Sequence, residues 1–176
     1  INPAIHGDTE GDDLWSYLMM YRRTGQQGYL DRAQAWARYF KQDYRTCIPS
    51  VGSNFCYDRD NFGLDHLYGW GLVDWYLYTC STGNCDSAAL AETENIAAQV
   101  EAQWQGISPG YRMSNYGARR GARHLLFVTR VAEVTGKQRW ITLRDRLIDL
   151  WLQSSDWDPR GMYFYGNFDT DNIVGP

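Results

Sequence analysis

The sequence predicts an all-α domain of three antiparallel α-hairpin repeats, about six helices arranged in an inner and an outer layer. Three observations carry that expectation. Apolar residues recur three and four positions apart through most of the chain, the period of a helix with a buried face. Thr-Gly pairs at 24–25, 82–83 and 135–136 interrupt this pattern at intervals of 58 and 53 residues, the mark of a repeated unit. In each unit the segment before the Thr-Gly pair is the more uniformly apolar, and the segment after it carries a single apolar stripe.

Each element follows from its residues. Residues 12–23 (DDLWSYLMMYRR) begin with acids and end with arginines, which suits the helix dipole, and Thr24-Gly25 ends them. Residues 28–43 place Leu30, Ala33, Ala37 and Phe40 on one stripe with Trp36 beside it, while Asp31, Arg32, Gln34, Arg38 and Lys41 form the solvent face. Residues 64–79 (LDHLYGWGLVDWYLYT) are apolar almost all round, and residues 86–104 keep Leu90, Ile96, Ala97, Val100 and Trp104 inside. Residues 117–134 turn apolar after Arg123, and residues 138–153 align Trp140, Leu143, Leu147 and Trp151. Glycine after each first helix supplies a left-handed cap. A helix contacted on several sides needs apolar residues around its circumference, so helices one, three and five are expected inside and two, four and six outside. The hairpins then span roughly 12–43, 64–104 and 117–153 of a single repeat domain, 1–176. The intervening stretches at 1–11, 44–63, 105–116 and 154–176 are rich in Gly, Asp, Asn, Tyr and Pro, and the aromatic run near 156–165 suggests a short strand or hairpin.

Composition narrows the function classes. A formal net charge of −4 offers no basic field for nucleic acid, and no stretch reaches the ~18 apolar residues of a membrane span. Aromatic residues make up 15 % of the chain, enough for a large core and for stacking surfaces besides. The four cysteines form two close pairs, Cys47 with Cys56 and Cys80 with Cys85, each bracketing a short loop. Two such bridges would place the protein in an extracellular or periplasmic compartment; four free thiols would place it in the cytosol. Neither pair has the spacing of a zinc site.

Alternating inner and outer helices, Thr-Gly hairpin turns and acid- and aromatic-rich loops before the inner helices resemble the (α/α) toroids of carbohydrate-active enzymes, the glycoside hydrolases and polysaccharide lyases with six or seven hairpins. The resemblance covers nearly the whole chain as architecture and rests on no invariant catalytic motif. It implies a polysaccharide or oligosaccharide partner and cleavage by hydrolysis or β-elimination. Three hairpins cannot close a six-hairpin ring, so the chain reads as a portion of a larger ring, a self-associating unit or an open solenoid. The alternative is a non-catalytic repeat subunit or scaffold of an extracellular assembly.

Three polar clusters are candidate sites. The run His6 to Asp13 offers carboxylates for a sugar or for calcium, and Asp12 or Asp13 equally suits an N-cap. In the run Tyr57 to His66, Asp58 and Asp60 suit an acid/base pair, with Tyr57, Asp65 and His66 as substrate contacts. Phe62 and Gly69 stand where an EF-hand needs oxygen ligands, so no such calcium loop is expected; Asp65 equally suits a helix cap. In the run Tyr111 to Arg120, Arg112, Asn115 and Tyr116 are substrate candidates, and Arg120 shares a helix face with His124 four residues on. Eliminative lyases need a group that neutralises a uronate and a base for the adjacent proton, which Arg120 and His124 suit. A basic face bonded to neighbouring acids, and for His124 a satisfied semi-buried histidine, are the plain structural alternatives. Calcium apart, the residues require no cofactor, and no metal ligands are assigned.

Overall fold

The computed structural model describes residues 10–42, 65–108, 118–153, 157–158 and 163–164. These form six helices: α1 (Glu10–Thr24), α2 (Gln27–Gln42), α3 (Asp65–Ser81), α4 (Ser87–Trp104), α5 (Ala118–Thr135) and α6 (Gln138–Leu152). Two short strands follow, β1 (Trp157–Asp158) and β2 (Tyr163–Phe164), paired antiparallel with Trp157 opposite Phe164. The chain is therefore all-α in character, and the aromatic tail contains the hairpin its sequence suggested. It divides into two compact units, Ile1–Gln99 and Val100–Pro176, with the division inside α4.

In the first unit α1 packs against both α2 and α3, and α2 also meets α3. Leu14 and Leu18 of α1, Ala33 and Ala37 of α2, Leu72, Val73 and Trp75 of α3, and Ala89, Ile96 and Ala97 of α4 are buried. The alanines at 33 and 37 sit one turn apart, so α2 presents a shallow surface that bulkier neighbours can approach. Tyr21 meets the Tyr78 ring edge-on at 6.0 Å, Trp75 lies 5.7 Å from Tyr78, and the Arg22 guanidinium stands 6.0 Å over the same ring. Partial burial, and then Tyr21, push the Tyr78 hydroxyl above its ordinary value, with Arg22 opposing them.

In the second unit α5 packs on α6. Val100 and Trp104, Phe127, Val128, Val131 and Ala132, and Trp140, Leu143, Leu147 and Leu150 are buried there. Glu101 accepts from Arg139 Nε at 3.0 Å, and the Arg139 guanidinium lies 4.5 Å over the Trp140 ring. Arg146 Nη2 donates at 2.9 Å to the Trp104 carbonyl, an acceptor at the end of α4 that also takes the Ile107 N–H at 3.3 Å.

Ile96, Ala97, Val100 and Trp104 on α4, Trp140, Leu143 and Leu147 on α6, and Ala33 and Ala37 on α2 are buried as their sequence pattern predicts, whereas Leu30, Leu90 and Trp151 are half-buried and Leu150 is buried beside Leu147; the Phe40 side chain lies outside the described residues. All-round apolarity has unequal consequences for the helices expected inside. On α3 it accompanies burial of Gly69, Gly71, Leu72, Val73 and Trp75. On α1 it does not, because Trp15, Met19 and Met20 remain exposed, and on α5 Leu126 is exposed. Hydrophobicity states what a helix surface can bury, while the neighbours present decide what it does bury.

The Thr-Gly turns share a chemistry. Gly25 N–H donates to the Tyr21 carbonyl at 2.7 Å, and Gly136 N–H donates to that of Ala132 at 2.9 Å. Each is the single bond of the left-handed cap, and the glycines have φ of 69° and 62°. Thr24 Oγ1 donates to the Met20 carbonyl at 2.7 Å and accepts from Gln26 N–H at 3.2 Å. Thr135 Oγ1 repeats both bonds, to the Val131 carbonyl at 2.8 Å and from Lys137 N–H at 3.3 Å. One hydroxyl thus closes the outgoing helix and holds the residue that starts the next. The middle turn differs. Asn84 N–H reaches the Thr79 carbonyl and Gly83 N–H reaches that of Cys80, each at 3.0 Å, which is the two-bond Schellman cap. It leaves Cys85 able to bond Cys80 in a disulfide.

Candidate functional site

The described residues place few of the expected site residues. Tyr57, Asp58, Asp60, Arg112, Asn115, Tyr116, Cys47 and Cys56 lie outside them, as does the run from His6 to Thr9. Asp65 and His66 fall in the first turn of α3 and Arg120 in the first turn of α5; their side chains are outside the described set. Cys80 and Cys85 are joined, as their proximity suggested.

His124 is described, and it is 2 % exposed. Its Nδ1 accepts a hydrogen bond from Trp104 Nε1 at 3.0 Å, and the two rings meet edge-on. An indole can only donate, so Nδ1 must carry a lone pair and the neutral ring holds its proton on Nε2. The arrangement locks Trp104 of α4 to α5. It is that of a satisfied core histidine, the structural alternative its sequence position allowed.

The structure gathers another polar centre around Asp86, which the sequence reading passed over. Asp86 precedes α4, and its Oδ1 accepts from Ala89 N–H at 3.0 Å, a helix N-cap. Its Oδ2 accepts from Trp75 Nε1 of α3 at 2.9 Å and pairs with Lys41 of α2. Its own N–H donates to Thr79 Oγ1 at 3.0 Å. Burial alone would raise this carboxyl, but hydrogen bonds from Lys41, Trp75 and Ala89 N–H, with the charge of Lys41, outweigh it and hold the group below its ordinary value. Every oxygen is engaged by the fold, so the centre ties α2, α3 and α4 together and offers no reacting group.

The first hairpin carries an open pocket of about 330 Å³ lined by Tyr17 of α1, Gln26 of the turn, and Gly28, Tyr29 and Arg32 of α2. The Tyr17 and Tyr29 rings stack with centroids 6.5 Å apart and planes inclined by 30°, giving one aromatic wall. Gly28 adds no side chain, and a Cβ there would meet nothing within 4 Å, so the wall stays open to solvent. Among the described residues Arg32 has no ion-pair partner. The pocket combines an aromatic face with an amide and a guanidinium, groups able to take a ring-shaped polar ligand. The sequence assigned Arg32 to a solvated face. The missed signal was Tyr29 three residues earlier on the same face, close to a turn that brings α1 alongside.

Among the described residues no group of three or more His, Cys, Asp or Glu side chains could hold a metal ion, and no helix is long and apolar enough to cross a membrane. No protein family, curated protein or solved structure matches the chain.

Proposed function

We propose that the chain is a helical-hairpin module of a carbohydrate-active protein, extracellular or periplasmic, that holds a polysaccharide against its first hairpin. The observation that carries this reading is the stacked Tyr17–Tyr29 wall with Gln26 and Arg32 at its edge. A sugar ring has an apolar C–H face that suits an aromatic wall, and peripheral hydroxyls that suit amide and guanidinium donors. The Cys80–Cys85 disulfide supports an oxidising compartment. Cleavage, if the module performs it, draws on Asp58 and Asp60 for hydrolysis or on Arg120 with Arg112, Asn115 and Tyr116 for β-elimination. Affinity electrophoresis through gels containing neutral and acidic polysaccharides tests the reading. Retardation by at least one polysaccharide, abolished by Tyr29→Ala with helicity unchanged, is expected. Equal mobility in every gel defeats it. Reducing-end release and the ultraviolet absorbance of an unsaturated product separate hydrolysis from elimination.

The second reading, a non-catalytic scaffold subunit, is favoured by one observation: the exposed Trp15, Met19 and Met20 on α1.

A further inference from the structure

Two exposed helix faces share one pattern with opposite charge. On α1, Trp15 and Met19 stand one turn apart, and the row continues into Arg22 and Arg23 a further turn on. Trp15 is 47 % exposed, although indole is among the side chains that gain most from burial. Arg23 has no ion-pair partner among the described residues. On α6, Ile148 and Leu152 stand one turn apart, and Leu152 is 56 % exposed. Asp145 and Asp149 run beside them; Asp145 pairs with Arg144 of its own helix, and Asp149 has no ion-pair partner among the described residues. One row is thus apolar with arginines, the other apolar with Asp149 beside it.

We propose that the Trp15–Met19 row of α1 docks on the Ile148–Leu152 row of α6 in a second copy of this chain. Stacked helical repeats bury such rows against the next repeat, and a row left open is the surface a neighbour covers. The charges choose the occupant. Arginines at the end of the α1 row meet Asp149, whereas α6 against α6 would leave those arginines without an acid. A contact between two different faces is heterologous, so each copy keeps one face free for another copy and the association extends to a ring or a filament.

The test uses the full chain in sedimentation velocity over a range of concentrations. Association is expected to grow with concentration and to weaken with added salt, because exposed charges are screened. Trp15→Lys alone and the pair Ile148→Lys with Leu152→Lys are each expected to weaken association at least about tenfold. Mixed together, the two variants should form a one-to-one dimer and stop, since each still carries the face the other has lost. All three substitutions fall on exposed positions, and circular dichroism checks that helicity is kept. A wild-type chain that stays monomeric at every concentration overturns the proposal. So does a Trp15→Lys chain that loses association while the α6 variant keeps it, which would indicate α1 pairing with α1.

Discussion

Replacing Asp86 by alanine removes several contacts of one carboxylate at once. The N-cap bond to Ala89 N–H contributes about 1 kcal/mol. Trp75 Nε1 loses a charged acceptor inside a side chain that is 7 % exposed, costing roughly 1–3 kcal/mol. The pair with Lys41 is partly solvated and adds at most about 1 kcal/mol. The sum for Asp86→Ala is about 2–5 kcal/mol, read as a lowered urea midpoint by far-ultraviolet circular dichroism at neutral pH. Asp86→Asn separates the contributions. An amide has one oxygen, so it can accept from Ala89 N–H or from Trp75 and Lys41, and its NH₂ then faces donors on the other side. It should fall between wild type and alanine. A loss under about 0.5 kcal/mol for Asp86→Ala would refute the reasoning, because it would mean that solvent replaces all these contacts at no cost.

Other outcomes follow from the same geometry. The Asp86 carboxyl lies below its ordinary value when folded, so its stabilisation is complete above the unfolded value and is lost as pH falls through the folded one. Wild type should therefore lose stability in acid more steeply than Asp86→Asn, and parallel acid titrations would contradict this. Gly136→Ala should cost about 1–2 kcal/mol in urea unfolding, all of it from φ of 62°, because an added Cβ meets nothing within 4 Å. Gly136→Asn should cost less, since asparagine tolerates that region better. Trp104→Phe deprives His124 Nδ1 of its indole donor and should cost roughly 1–3 kcal/mol, measured as a shift in thermal midpoint. Reducing the Cys80–Cys85 bridge, which closes a loop of five-residue separation, should cost about 2 kcal/mol by loop entropy, seen as a lower urea midpoint in reductant.

The helices and their turns were legible in the residues because they are local. A threonine hydroxyl and a glycine with positive φ need only their own four or five neighbours to end a helix. Turns at Thr24-Gly25 and Thr135-Gly136 consequently share the same bonds although they lie in different hairpins. The stripe through Trp140, Leu143 and Leu147 was readable for a similar reason, since helical period alone puts these residues on one face. The disulfide was readable because so short a loop leaves its ends close together.

The candidate site was much less legible. Asp86 looks like any polar residue beside a turn until α2 brings Lys41 and α3 brings Trp75 to its oxygens, and those partners stand 45 and 11 residues away. Tyr17 and Tyr29 become one wall only when the first turn lays α2 along α1. The spacing of Arg120 and His124 suggested catalysis, yet the described His124 is fastened to Trp104, twenty residues earlier in the chain. By itself the sequence determined the six helices, the breaks between paired helices, their glycine caps and most of their apolar stripes, because backbone hydrogen bonds and side-chain period act over a single turn. Tertiary structure alone decided which of those apolar and polar groups found partners: α3 buries Leu72, Val73 and Trp75, α1 leaves Trp15 and Met19 in water, and Asp86 is consumed by the fold. Burial and hydrogen bonding depend on neighbours from distant parts of the chain, and no local pattern specifies those.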